Sequence, residues 1–257
     1  MGFKIKEISF SYGDNKVIDN VSLHLEPGRF YGIIGPNGCG KSTFLDLLSG
    51  HSKPAEGSVF FMEQDLAKYS KKALSRLIAL VPQNFYINFS FTAKEIVLMG
   101  RYPHIPRFSA PSPQDMEIVN DIMTKTGTSQ FKNRFITELS GGERQRVVFA
   151  RALAQDTRVL ILDEATSNFD INHSIRMLNL AAQDVENNGK TVIAVLQEIN
   201  LAAIFCDYLI FIKNGRIAAY GKTDEILSES TIKSVFNVNA KVYQEIYSNS
   251  KQVVFRR

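Results

Sequence analysis

Positions 35–43 read GPNGCGKST and fit G-x-x-x-x-G-K-[S/T], with the apolar run RFYGIIG (29–35) before them and the helix-spaced TFLDLLSG (43–50) after them. A loop between a strand and a helix is the setting that phosphate binding by this pattern requires. Gly35, Gly38 and Gly40 let the backbone curl so that its N–H groups converge on an anion, and the helix that follows adds its positive dipole end. In that geometry the ammonium of Lys41 reaches β- and γ-phosphates and the hydroxyl of Ser42 meets Mg2+, while Pro36, Asn37, Cys39 and Thr43 complete the loop.

A second stretch supplies acids. RVLILDEA (158–165) is an apolar run that delivers Asp163 and Glu164 to the carboxyl end of a strand. Next to a bound triphosphate, Asp163 would hold Mg2+ through water and Glu164 would polarise the attacking water as a general base. A third stretch, LSGGERQR (139–146), sets Ser140, Gly141 and Gly142 ahead of a helix whose early positions, from Glu143 on, are charged and amide residues, another anion-binding helix start. A fourth, TVIAVLQE (191–198), is a buried-strand pattern that ends on the amide of Gln197. In open α/β sheets that edge is where ligands sit.

The elements that must carry these residues alternate. SRLIALVPQ (75–83), RVLILDEA and TVIAVLQE read as buried strands, and helical spacing at about 146–155 and 172–187 separates the later ones. This rhythm predicts a parallel sheet with helices on its faces. FKIKEISF and VSLHL near the start, separated by the turn-rich YGDN, predict antiparallel strands, and YLIFIKNGRIAAYG (208–221) predicts a hairpin turning at Asn214-Gly215. A mostly helical insert occupies 92–130, broken by the proline-rich PHIPRFSAPSP (103–113), and residues 231–257 read as a charged, solvated tail.

With 257 residues and 44% hydrophobic content, the chain has a real core. No stretch reaches the roughly 20 apolar residues of a membrane span, and MGFKIKEISF lacks the apolar centre of a signal peptide. A net charge of +4 is too mild to argue for nucleic acid. Cys39 and Cys206 match no metal or redox spacing.

The phosphate loop, LSGGERQ and LDEA in this order resemble the ATP-binding cassette (ABC) transporter ATPases from about residue 3 to 228. The resemblance implies an α/β phosphate-loop NTPase core with a mixed, largely parallel sheet, an antiparallel β lobe and a helical subdomain. It implies a domain at 1–230 with the subdomain at about 86–157 and an unassigned tail at 231–257. ATP and Mg2+ follow as ligands. Tyr12 takes the place of the residue that stacks on adenine, and Gln83 the place of the glutamine that touches Mg2+ and links nucleotide state to a membrane permease. Ser140, Gly141, Gly142 and Glu143 would act on the ATP of a second copy, and Asp170 would cross to that copy's phosphate loop. The implied assembly is a homodimer on integral membrane permease subunits, with a substrate-binding protein, at the cytoplasmic face of the membrane.

Three positions depart from the family pattern. Ala165 stands where proline is usual and Phe169 where leucine is usual. Gln197 stands at the switch-histidine position, which predicts intact ATP binding with slowed hydrolysis; a native and an introduced glutamine both fit the sequence. G-R-Y-P at 100–103 and DINHS at 170–174 resemble importers of iron chelates, haem and vitamin B12, without separating siderophore from haem from corrinoid. A soluble cassette ATPase of the iron–sulfur assembly type is the alternative; it would lack the apolar-aromatic NFYINFSF (84–91) and GRYP. A chromosome-type ATPase would need a long coiled coil between the nucleotide motifs, and no sustained heptads occur.

Overall fold

The computed structural model describes residues 2–85, 89–165 and 170–256. Residues 86–88 of the apolar-aromatic insert, Phe169 and Arg257 lie outside the described residues. Strands β1 (Phe3–Tyr12), β2 (Asn15–Leu25) and β3 (Phe30–Ile34) lead through the phosphate loop to α1 (Lys41–Ser49). β4 (Glu56–Phe61), β5 (Gln64–Asp65), α2 (Lys71–Leu74) and β6 (Ile78–Val81) follow. The helical insert contributes α3 (Ala93–Met99), α4 (Pro113–Lys125) and α5 (Gly141–Ala154). The α/β alternation resumes with β7 (Val159–Asp163), α6 (Ile171–Asn188), β8 (Thr191–Val195) and α7 (Ile199–Phe205). Last come β9 (Tyr208–Lys213), β10 (Arg216–Lys222), α8 (Thr223–Ile226), α9 (Glu229–Phe236), β11 (Ala240–Glu245) and β12 (Ser250–Phe255).

The main sheet has the order β10-β9-β3-β8-β7-β6, parallel throughout except at the β9–β10 hairpin. Its central strands β3, β7 and β8 are buried on both faces, and the period of two sorts their side chains between two cores. Phe30, Ile34, Leu160, Leu162, Val192 and Ala194 pack with α5, α6 and α7. Tyr31, Ile33, Val159, Ile161, Ile193 and Val195 pack against α1 and the antiparallel sheet β2-β1-β4-β5. At the hairpin, Asn214 and Gly215 have φ of 51° and 73°, the pair of positive values that a tight two-residue reversal demands.

Two boundaries differ from the sequence expectation. The helix expected from 146 starts at Gly141, so the two signature glycines lie inside its first turn instead of preceding it. The start is set by a capping box, Ser140 with Glu143, and not by the apolar spacing, which begins only at Val147. The segment expected as a solvated tail is folded: Ile232, Val235 and Val253 enter the core shared with α5, α6 and α7, and β11 pairs with β12 in an antiparallel ribbon. Among the described residues, no helix is long and apolar enough to cross a membrane.

The insert is held by a buried ionic node. Asp115, in the capping box of α4, accepts from the Ser112 backbone N–H (3.0 Å) and hydroxyl (2.6 Å) on one oxygen and from Arg101 Nε (2.9 Å) on the other. Arg101, only 8% exposed, also donates to the Ala154 carbonyl at the end of α5 (2.8 Å). At Gly100 a Cβ would stand 2.2 Å from the Arg151 carbonyl oxygen, so glycine is what lets α3 approach α5. Within G-R-Y-P, then, the first two residues have interior work, and Tyr102 is the exposed one, at 56%.

The Ser112 hydroxyl and, after it, the Arg101 guanidinium hold the Asp115 carboxyl down to about 2 from its ordinary 3.8. Its contribution to stability is therefore complete above pH ~4 and fades as pH falls toward ~2, where the native carboxylate takes up its proton. Asp115→Ala leaves Arg101 buried without its counter-charge and is expected to cost about 3–5 kcal/mol. Denaturant melts at neutral pH check the magnitude; a loss below about 1 kcal/mol overturns the assignment.

Candidate active site

Four strand ends meet at one edge. Because β3, β8, β7 and β6 are consecutive parallel neighbours, the residues leaving their carboxyl ends emerge side by side. These are the phosphate loop, Gln197, the Asp163-Glu164 pair and Gln83. A cavity of about 390 Å³ lies between Asn37–Thr43 of the loop, Gln83, Glu164 and Gln197, with Val17 of β2 on its rim.

The loop is built for an anion. Gly40, the residue ahead of α1, has φ 103°, and a Cβ there would stand 2.8 Å from the Val17 carbonyl oxygen. Lys41 is 6% exposed, and its ammonium donates to the carbonyls of Gly35 (2.9 Å) and Pro36 (3.0 Å), which keep the charge curled within the loop. Ser42 Oγ donates to Asp163 Oδ1 (3.0 Å). Burial pushes the Asp163 carboxyl up from its ordinary value against the opposing pull of that hydrogen bond, so a cation here would relieve it. Among the described residues, no group of three His, Cys, Asp or Glu side chains forms a closed metal cage. The Ser42–Asp163 pair suits Mg2+, which keeps several waters and completes its shell with phosphate oxygens. Cys39 and Cys206 are free and buried, and burial raises both thiols, which leaves them unreactive.

Glu164 is the hub. It leaves β7 with φ 47°, a left-handed conformation that a non-glycine residue adopts at a cost of about 1 kcal/mol or more. Its Oε2 accepts from Gln83 Nε2 (2.7 Å) and from Gln197 Nε2 (2.6 Å). Glu164 is buried and Gln197 is exposed, so the two amides reach it from either side of the cavity mouth.

The other candidates stand outside this cavity. Tyr12, at the end of β1, is 56% exposed and packs edge-on against Phe10 (5.0 Å between ring centres, 84°). Ser140 Oγ accepts from the Glu143 N–H (3.3 Å) while Glu143 accepts from the Ser140 N–H (2.8 Å), and a Cβ on Gly141 would meet nothing within 4 Å. Asp170 caps α6 by accepting from the His173 N–H (2.9 Å), and that bond, with the His173 ring beside it, holds the carboxyl below its ordinary value. Ala165 is buried.

Sequence reading passed over two residues that reach the Gln83 segment. Gln145 Nε2 on α5 donates to the Pro82 carbonyl (3.3 Å), and the Arg151 guanidinium lies 4.5 Å from the Phe85 ring centre. A buried amide on an apolar helix face was the available signal for Gln145; Val17 had none.

A family model described as ABC transporter matches residues 18–167. The cobalamin import ATP-binding protein BtuD of Halobacterium salinarum is 38% identical over 242 residues, covering 94% of this chain; the chain spans 60% of that protein's length. The ferric enterobactin transport ATP-binding protein FepC of Escherichia coli is 35% identical over 249 residues, 97% of this chain and 92% of that protein. Among solved structures, a dimeric ATP-binding cassette in a post-hydrolysis state bound to ADP and Pi superposes with a TM-score of 0.77 at 28% identity, over 86% of this chain and 98% of that one.

The two glycine motifs should respond oppositely to a methyl group. Gly40→Ala meets both the left-handed backbone and the Val17 carbonyl and is expected to lower stability by about 1–3 kcal/mol. Gly141→Ala enters open space in a helical turn and should leave stability equal or slightly higher. Thermal melts of the two variants decide it, and a destabilised Gly141→Ala would contradict the open geometry.

Proposed function

The chain belongs to the ABC transporter family, and from that premise we propose that it is the ATP-binding, ATP-hydrolysing subunit of an importer for an iron–siderophore, haem or corrinoid. The observation that carries the reading is the gathering of phosphate loop, Gln83, Glu164 and Gln197 round one cavity.

Each residue's task follows from its setting. The loop N–H groups and Lys41 bind the β- and γ-phosphates, and Tyr12, exposed at the end of its strand, stacks on adenine. Ser42, Asp163 and Gln83 hold Mg2+, which when bound neutralises charge on the phosphate oxygens. Glu164 accepts the proton of the attacking water. In the present arrangement its Oε2 carries two amide donors, which orient the carboxylate for that task.

Gln197 has a second amide N–H to offer the nucleotide. Its amide can hydrogen-bond the terminal phosphate, but it has no useful proton affinity and brings no positive charge as the transition state develops. Hydrolysis is therefore slower than with histidine, while ATP binding is retained.

The signature residues Ser140 to Glu143 and the cap Asp170 act on the ATP of a second copy, giving a C2 dimer with two nucleotides at the shared boundary. Their position outside this chain's own cavity and the dimeric structural relative support that reading. The dimer sits at the cytoplasmic face of the membrane on permease subunits, served by a substrate-binding protein. Exposed Tyr102 and the insert around it meet the permease.

Gln197→His tests the central point. Steady-state ATP turnover should rise about tenfold or more, since one charged, preorganised donor is worth 10²–10³ and glutamine keeps part of the contact. Nucleotide affinity should stay within about twofold. Equal turnover in the two chains would refute the slowed-hydrolysis reading.

A further inference from the structure

The ribbon β11–β12 carries a contact whose geometry is aimed at the site. Asn200 lies in the first turn of α7, three residues after Gln197. Its side chain does not cap its own helix, and the residue ahead of α7, Glu198, provides no side-chain cap either. Instead the Asn200 amide faces the ribbon: Oδ1 accepts from the Val253 N–H (2.8 Å) and Nδ2 donates to the Val253 carbonyl (3.2 Å). Both backbone polar groups of one strand residue are satisfied by one planar amide, as a neighbouring strand would satisfy them.

The ribbon is a firm anchor for that amide. Val253 is 3% exposed and belongs to the core shared by α7 and α9. Lys251, two residues earlier, donates to the Leu227 carbonyl (2.9 Å) after α8. From Val253 the connection runs through Asn200 to the start of α7, and from there through Glu198 to Gln197 and its bond to Glu164.

We propose that the carboxyl-terminal ribbon is a positioning element for hydrolysis, and that Asn200 is the positioning residue through which it fixes the segment carrying Gln197. The segment between β8 and α7 spans few residues and Glu198 gives it no side-chain cap, so the clamp from Val253 is what ties the start of α7 to the ribbon. The inference rests on the reading that Gln197 serves hydrolysis, and it adds to that reading a task for a segment that lies beyond the phosphate-loop core. Asn is the side chain the task needs, because only an amide presents a donor and an acceptor in one plane at this length.

A double-mutant cycle on the full-length chain tests it, with hydrolysis followed in a single turnover and melting temperature as the control. Asn200→Ala should slow hydrolysis at least about threefold in the Gln197 background and less than about 1.5-fold in a Gln197→Ala background, the non-additivity expected of residues acting as one unit. Asn200→Asp, which keeps the acceptor for Val253 N–H, should fall between the two. Equal slowing by Asn200→Ala in both backgrounds marks a merely structural residue and overturns the proposal. A Gln197→Ala chain as fast as the parent fails the functional reading of Gln197 instead. Hydrogen exchange then judges the clamp separately: in Asn200→Ala, amides at 197–201 should exchange at least about fivefold faster while those of the phosphate loop stay unchanged. Unchanged exchange at 197–201 overturns the clamp whatever the turnover.

Discussion

Burial of both faces of the central strands is the constraint on which the site depends. In β3, β7 and β8 every second side chain belongs to the core under α5, α6 and α7, and the others to the core under α1 and the antiparallel sheet. A slip of one residue in any of them would exchange the two sets and put each side chain in the wrong core. The register is therefore fixed, and with it the depth at which each strand ends. Asp163, Glu164 and Gln197 meet the phosphate loop because the neighbouring strands that lead to them are of matching length, five residues each in β3, β7 and β8. The chemistry at this edge inherits its precision from hydrocarbon packing.

At that edge the electrostatic arrangement turns on one carboxylate. Glu164 holds a left-handed backbone at the exit of β7 and receives two glutamine amides on a single oxygen. The two N–H bonds of an amide sit on one nitrogen, so Gln197 has the means to touch Glu164 and a phosphate oxygen together. What it lacks is charge. An imidazolium between two anions offsets their repulsion, whereas a neutral amide only orients them. On the proposed role of Gln197, a contact is kept and charge is lost, which is why binding and turnover should separate.

Contiguous motifs were readable because their spacing is their geometry. GPNGCGKST, LSGGERQ and LDEA each place their groups within one turn or one strand end, and the flanking apolar runs announced β3, β7 and β8. What escaped were features that depend on distant partners. The first turn of α5 carries no apolar residue, so periodicity began at Val147 while the capping box began the helix earlier. The strands AKVYQE and SKQVVF show little buried surface of their own, with Val253 the main apolar contact of β12, and their ordering rests on Asn200 and α9. Gly100 and Arg101 read as part of a surface signature, yet their roles lie with Arg151, Asp115 and Ala154, which pattern reading along 97–108 does not include.

Helix α5 ties these parts together. It is 14 residues long, about 20 Å end to end. At its start are the open Gly141 and the Ser140–Glu143 box; one turn on, Gln145 holds the Pro82 carbonyl. Further along, Arg151 lies over Phe85, and the last carbonyl, Ala154, takes Arg101 of the insert. One helix thus touches the signature end, both flanks of Gln83 and the anchor of Tyr102. Contacts from the exposed insert thereby reach the neighbours of Gln83, whose amide rests on Glu164. Under the proposed function, α5 is the path from the insert to Glu164.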